Sequence, residues 1–279
     1  PDPKWIVGKH ALMNVNVHNV DGKTIIEPHS WRIPFQWQGY HYQDNDDQPF
    51  MLMVNSGGGY VEGDKSYFLA DLQNNTRSLF TTTASGKFYK CLNGGLTEEV
   101  VEFNVGQNSL LEYLPDEAIP FEASRSKRSI KINLTGSSRL FATDMVSGGR
   151  IHYGNEVFKF HYLKSQFQIY LNGLLIAQDK LLLKNTEEVR DLTTLWQGAR
   201  HSVTIFAYAD NFPEKVEDMI YSNVGTTTTV KIGVSRIENL LVIRSLAFET
   251  WQAHEVIFEI WKILRPFIAH KAARPISKC

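Results

Sequence analysis

The sequence predicts a mainly β protein, built as stacked β-layers in the manner of a β-solenoid, with a few helices toward its C-terminal part. Three observations lead there. Apolar and polar residues alternate over many short segments, as in half-buried strands. A strand–turn–strand pattern recurs with its turns roughly 30 to 36 residues apart, a spacing suited to stacked hairpin-like units or to the coils of a solenoid. Helical spacing of large apolar residues is confined to the last quarter of the chain.

Taken in order, Ala11, Met13, Val15 and Val17 alternate with Asn14, Asn16 and His18, predicting a strand over 9–20. Asp21-Gly22 is a hairpin turn, and Thr24-Ile25-Ile26 is its returning partner. Phe50 to Val54 is an apolar run short enough for a buried strand, and Lys65 to Leu72 alternates like another. The repeating units are Tyr67 to Ser85 around Asn74-Asn75, Val100 to Pro115 around Gly106-Gln107-Asn108, Ser129 to Met145 around Gly136-Ser137-Ser138, and Gln166 to Leu183 around Asn172-Gly173. A unit of this kind cannot bury its apolar face alone, so stacking is required to close a core. Ser202 to Ala209 is a further strand, and Thr226 to Ser235 with Asn239 to Leu246 a strand pair. Pro213 to Ser222 reads as a short helix with Pro at its first position. Phe248 to Phe267, ending at Arg265-Pro266, reads as a longer one carrying Trp251, Val256, Phe258, Trp261 and Leu264. No composition shift marks a linker. One domain over 1–279 is expected, β-rich over 1–210 and helix-containing over 211–279.

Composition narrows the function classes. The chain of 279 residues has a formal charge of -1, which gives no global basis for binding nucleic acid or a membrane surface. Two distant cysteines, Cys91 and Cys279, form neither a disulfide framework nor a zinc-site spacing. No stretch approaches the roughly 18 uninterrupted apolar residues of a membrane span. The first residues lead into an alternating segment, so the expectation is a soluble, cytoplasmic protein. A G-x-S-x-G elbow, an H-E-x-x-H pair and a Cys-His arrangement are all missing from the sequence, and a non-enzymatic role is expected.

The stretch Asn55 to Asp64, N-S-G-G-G-Y-V-E-G-D, stands out. Phosphate binding fails there, because Asp64 occupies the place where a phosphate loop needs lysine, and an acidic residue repels phosphate. A glycine turn joining two strands accounts for Gly57, Gly58 and Gly59 taken alone. Glu62 and Asp64 would share a face if the segment were extended, a weak metal-site pattern. His10, His18 and His41, the last beside Asp44, Asp46 and Asp47, read as surface or packing residues.

The connections between units carry further signals. Thr81-Thr82-Thr83-Ala84-Ser85-Gly86-Lys87 reads either as a polar strand end or as a hydroxyl lining for a channel or partner surface. The two prolines of Tyr113 to Phe121 force an extended loop around Asp116 and Glu117. Asp144 shares its alternation position with Leu140 and Ala142. If that face points inward, its carboxylate needs a partner, and Arg150 is an available one.

Together these segments resemble the UreD (UreH) family of urease accessory proteins. The resemblance rests on Gly57-Gly58-Gly59-Tyr60-Val61-Glu62-Gly63-Asp64, on Lys87-Phe88-Tyr89-Lys90, and on Tyr113-Leu114-Pro115 through Ile119-Pro120-Phe121. It continues in Asp144 with Gly149-Arg150 and Gly154-Asn155-Glu156-x-Phe158, and in Trp261-Lys262-Ile263-Leu264-Arg265-Pro266. These boxes stand in family order and span nearly the whole chain. One departure is Asn155, which separates Gly154 from Glu156, where the family's glutamate follows its glycine directly.

The resemblance implies a urease maturation chaperone. Such a protein docks the accessory GTPase UreG, recruited through the helical partner UreF, onto the structural subunits of apo-urease, and helps deliver nickel to the active site. Nickel would be in transit with no cofactor bound permanently, since oxygen and imidazole donors release an ion that thiolates would hold. On this reading Asp64 and Asp144 lie on the nickel route, with Glu156 a third member. Trp251, Phe258 and Trp261 of the C-terminal helix are then candidates for partner contact. The competing reading is a purely structural docking adaptor that never touches metal.

Overall fold

The computed structural model describes residues 8–43, 48–154, 156–184, 196–276 and 278. The acidic loop at 44–47, Asn155 and Cys279 lie outside these residues. Within the described residues, eighteen strands and two helices follow one another in the order that the alternation pattern implies. The first group is β1 (His10–Val20), β2 (Lys23–Arg32), β3 (Phe35–Gln36), β4 (His41–Tyr42), β5 (Pro49–Asn55) and β6 (Lys65–Leu72). Then come β7 (Arg77–Thr82), β8 (Gly86–Phe88), β9 (Thr97–Val105), β10 (Leu110–Tyr113), β11 (Ala118–Pro120), β12 (Arg125–Leu134) and β13 (Arg139–Ser147). The last group is β14 (Tyr162–Leu171), β15 (Leu174–Lys184), β16 (His201–Tyr208), helix α1 (Val216–Asn223), β17 (Val230–Ile237), β18 (Leu240–Ala247) and helix α2 (Thr250–Ile268).

The strands form two stacked sheets. An outer sheet runs β15-β14-β12-β9-β6-β1-β2, and a central sheet runs β17-β18-β16-β13-β10-β7-β5-β3. Three of the repeating units are coils rather than hairpins: β6 and β7, β9 and β10, and β12 and β13 each cross from the outer to the central sheet. Successive coils then pair in parallel, β6 with β9 and β9 with β12 on one side, β7 with β10 and β10 with β13 on the other. The parallel sheets arise without helical crossovers. The fourth unit differs, because β14 and β15 pair antiparallel within the outer sheet. Its Asn172-Gly173 turn has φ of 49° and 83°, the two successive positive values that fold a strand directly back on its neighbour. The same geometry at Asp21-Gly22 (50° and 85°) closes β1 on β2. The coil turns are instead tied to one another, with the Gln107 amide donating to Asn74 Oδ1 and the Asn108 amide to Ser137 Oγ.

Two cores follow from the layers. Between the sheets, the inward residues of the outer sheet, among them Phe68, Phe103, Ile130, Ile132 and Phe167, meet Phe80, Leu111, Leu140 and Ala142 of the central one. On the far side of the central sheet, Phe141, Val203, Ile205 and Ile243 pack on Ala253, Val256, Ile257, Ile260 and Leu264 of α2. The central sheet is thus covered on both faces, and β10, β13 and β16 are buried along nearly their whole length. Each fully buried large apolar side chain contributes on the order of 1.5–3 kcal/mol.

The helices differ from expectation at their ends. α1 starts at Val216, three residues past Pro213, whose carbonyl accepts the Val216 amide in a preceding turn. α2 passes through Pro266 to Ile268. In the last turn a proline removes only the bond to the carbonyl four residues back, while the Ala269 amide still closes on Arg265. At its start, Glu249 and Gln252 form a reciprocal capping box.

Candidate functional site

The register of the outer sheet aligns one residue from each of four parallel strands. Ser66 of β6 lies beside Glu99 of β9, Glu99 beside Arg128 of β12, and Arg128 beside Ser165 of β14. All four point inward, in step with the apolar residues that follow them on each strand, such as Phe68, Val101, Ile130 and Phe167. The result is a polar rung across an otherwise apolar interior. Its centre is Arg128, whose Nε donates to Glu99 Oε2 at 2.7 Å and whose Nη1 donates to Asp144 Oδ1 at 2.8 Å across the space between the sheets. Ser165 Oγ completes the link by donating to Asp144 Oδ2 at 3.1 Å. Burial alone would lower the Arg128 pKa, but Asp144 and Glu99 raise it above its ordinary value. One guanidinium thus faces two carboxylates, Asp144 buried and Glu99 half-buried, a formal excess of one negative charge.

This rung borders a cavity of about 120 Å³. Tyr60 OH donates to Glu99 Oε1 at 2.9 Å from the cavity wall. Burial and then Glu99 raise the Tyr60 pKa, and burial raises that of Tyr113, also in the wall. Both phenols stay protonated at neutral pH. Thr82, Thr83, Ser85 and Lys87 also line the cavity, so the hydroxyl-rich stretch borders it. Beyond the rung a smaller space lies between Asp144, Ser165 and Thr204 and ends at Asp179. There Asp179 accepts from Thr204 Oγ1 at 2.7 Å and from Arg244 Nε at 3.0 Å.

The family boxes meet in pairs around this interior. The glycine loop closes on the Lys87-Phe88-Tyr89 box: the Tyr60 amide donates to the Lys87 carbonyl, the Tyr89 amide to that of Tyr60, and the Tyr60 and Phe88 rings stack at 4.8 Å. Gly59, at φ 143°, permits this, since a Cβ there would stand 2.7 Å from the Lys87 carbonyl oxygen. Likewise a Cβ at Gly149 would meet the Glu156 carbonyl oxygen at 2.0 Å.

The expected site residues take distinct places. Asp144 faces inward, but its partner is Arg128. Arg150 instead lies between Phe121 and Tyr153 and pairs with Glu156. Asp64 and Glu62 do not share a face, because residues 61–64 form a turn: Asp64 accepts the amides of Lys9 at 2.7 Å and Val61 at 3.0 Å, while Glu62 accepts those of Asn93 and Gly95. Glu156 ties the Arg150 loop to the Glu122 amide. On α2, Trp251 is 63% exposed and Phe258 half-buried. Trp261 is 1% exposed, and its Nε1 donates to Glu112 Oε1 at 2.6 Å. It belongs to the core and is not available to a partner, because the helix turns that face onto the central sheet.

Glu99 and Arg128 escape the sequence reading. The signal was present, since Arg128, Ile130, Ile132 and Leu134, like Glu99, Val101, Phe103 and Val105, occupy alternate positions of one strand. Taking each alternation two residues further toward the N-terminus would have placed both charges on the inward face.

A family model described as UreD urease accessory protein matches residues 9–278. Among curated relatives, "Urease accessory protein UreD" of Saccharophagus degradans is 27% identical over 276 residues, covering 98% of this chain and 92% of that protein. The protein of the same name from Lachnoclostridium phytofermentans is 27% identical over 255 residues, covering 90% and 92%. That of Streptococcus thermophilus is 30% identical over 174 residues, 61% of this chain and 62% of the relative's own length.

Proposed function

This chain belongs to the UreD urease accessory protein family, and from that premise we propose that it is a urease maturation chaperone: a scaffold that docks an accessory GTPase complex on apo-urease and passes nickel through its own interior. A protein with that task needs a way for a cation to cross it. Carboxylates shielded from water are costly unless compensated, and the rung of Glu99, Arg128 and Asp144 sets one guanidinium against a buried and a half-buried carboxylate. That formal excess of one carboxylate is the single observation that carries the routing reading. A travelling Ni²⁺ would be attracted there and held by oxygen donors weak enough to release it.

Within this reading Asp144 is the route residue among those expected from the sequence. Asp64 and Glu156 hold the turns that shape the path. UreF and UreG are the proposed partners with the urease structural subunits, and exposed positions of α2, Trp251 first and Phe258 beside it, are proposed contacts. The alternative, a docking adaptor that never meets metal, explains the layered scaffold but leaves the excess carboxylate without a use. Co-purification with UreF, UreG and urease subunits, followed by activation with nickel, tests the whole reading. Failure to co-purify would remove the scaffold role. Full activation by variants lacking the Asp144 charge would remove the routing role.

A further inference from the structure

We infer that Asp116, Glu117 and His254 form a site for a divalent transition-metal ion where the internal cavity meets the outer groove along α2. Each residue offers one donor atom, and the three atoms lie within 4.8 Å of one another. His254 Nε2 is 3.2 Å from Glu117 Oε2, although the residues come from the loop after β10 and from α2. The placement joins two separate spaces. Glu117 lines the inner cavity, His254 lines an outer groove of about 220 Å³, and Asp116 lines both.

Two adjacent carboxylates face one imidazole, and carboxylate with imidazole is a donor set that takes Co²⁺, Ni²⁺ or Zn²⁺. Ligands sharing such an ion with bonds of about 2.1 Å stand roughly 3 Å apart, a closure that small rotations of three side chains at a loop and a half-exposed helix face can supply. A cation already sits at part of the site: Lys278 Nζ donates to Asp116 Oδ1 at 2.6 Å. Independently of this cluster, His201 is 1% exposed, its Nε2 meets Thr250 Oγ1 at 3.3 Å, and its Nδ1 finds no hydrogen-bond partner among the described residues. Glu117 and His254 both act electrostatically on that imidazole. Three protein donors leave coordination positions open, which favours exchange over storage.

This inference rests on the routing reading only for what the ion is there to do. Binding itself is measured on the full-length chain alone, by titration with Co²⁺ followed through its visible absorption and by calorimetry. The expected result is one binding event that weakens about tenfold or more in both Glu117→Gln and His254→Gln, with the circular dichroism of His254→Gln unchanged. His254 lies on the half-exposed face of α2, so that variant keeps the test valid should Glu117→Gln unfold. Binding that is equal in the unsubstituted chain and in His254→Gln would overturn the site. Asp144→Asn separates the two readings: it is expected to bind Co²⁺ normally here, whatever its effect on urease activation.

Discussion

Arg128 and Asp144 join the two sheets through a 2.8 Å hydrogen bond between buried side chains, one from a coil's outer strand and the other from the central strand of the same coil. Glu99 occupies the other edge of the same guanidinium. Removing the cation would leave two carboxylates facing each other without compensation. Arg128→Met is therefore expected to destabilise the fold by about 3–5 kcal/mol. The check is chemical denaturation against the unsubstituted protein, and a loss under about 1 kcal/mol would mean that water already compensates the rung.

Gly149 allows the Arg150 loop to lie against the backbone of Glu156. Gly149→Ala forces a side chain onto a backbone oxygen at a φ of 132° that L-residues rarely adopt. A loss of roughly 1–3 kcal/mol from backbone strain is expected, together with weakening of the Arg150–Glu156 pair. Gly154→Ala, where a Cβ has open space, is the matched control and should cost less. Thermal unfolding of both variants decides the point, and equal midpoints would contradict it.

The two tryptophans of α2 should part company. Trp261→Ala empties a buried site and strips a donor from Glu112, which also accepts from Gln48 and Arg265. A loss of about 3–5 kcal/mol is expected. Trp251→Ala should stay within about 0.5 kcal/mol yet weaken capture of the partner proteins. A destabilised Trp251→Ala would place that indole in the core, and unchanged capture would move the interface elsewhere.

Burial lowers the His201 pKa from 6.5 to about 4, against a smaller upward pull from Glu117 and with His254, Arg200 and His152 adding to the lowering. The unfolded chain therefore takes up a proton in that range while the native state does not. Stability should rise with pH between about 4 and 6.5, by roughly 3 kcal/mol at full development. His201→Gln is expected to flatten that part of the profile. A profile as steep in the variant as in the unsubstituted protein would assign the pH dependence to other groups.

Much of the fold was legible in the sequence, because alternation survives wherever one face of a strand meets solvent, as in β1, β6, β9, β12 and β14. The turn residues likewise fix where the chain reverses. What alternation cannot tell is whether a turn returns the strand to its own sheet or sends it to the next one. Asn172-Gly173 and Asn74-Asn75 look alike in sequence, yet one closes a hairpin and the other a coil. The site was only half visible for a related reason. Asp144 announces itself as a charge on an apolar face, whereas its partner lies one strand back, and the nearest arginine in sequence, Arg150, belongs to Glu156. Trp261 and Trp251 both follow the helical period, but only packing against the central sheet shows which one is enclosed.

The most direct test of the central claim is urease activation at limiting nickel by Asp144→Asn, which keeps the size and much of the hydrogen bonding of Asp144 while removing its charge. The account predicts a variant that assembles with UreF, UreG and apo-urease like the unsubstituted protein, activates poorly when nickel is scarce, and recovers when nickel is in excess. Activation at the unsubstituted level under limiting nickel, or collapse of the assembly itself, would contradict it.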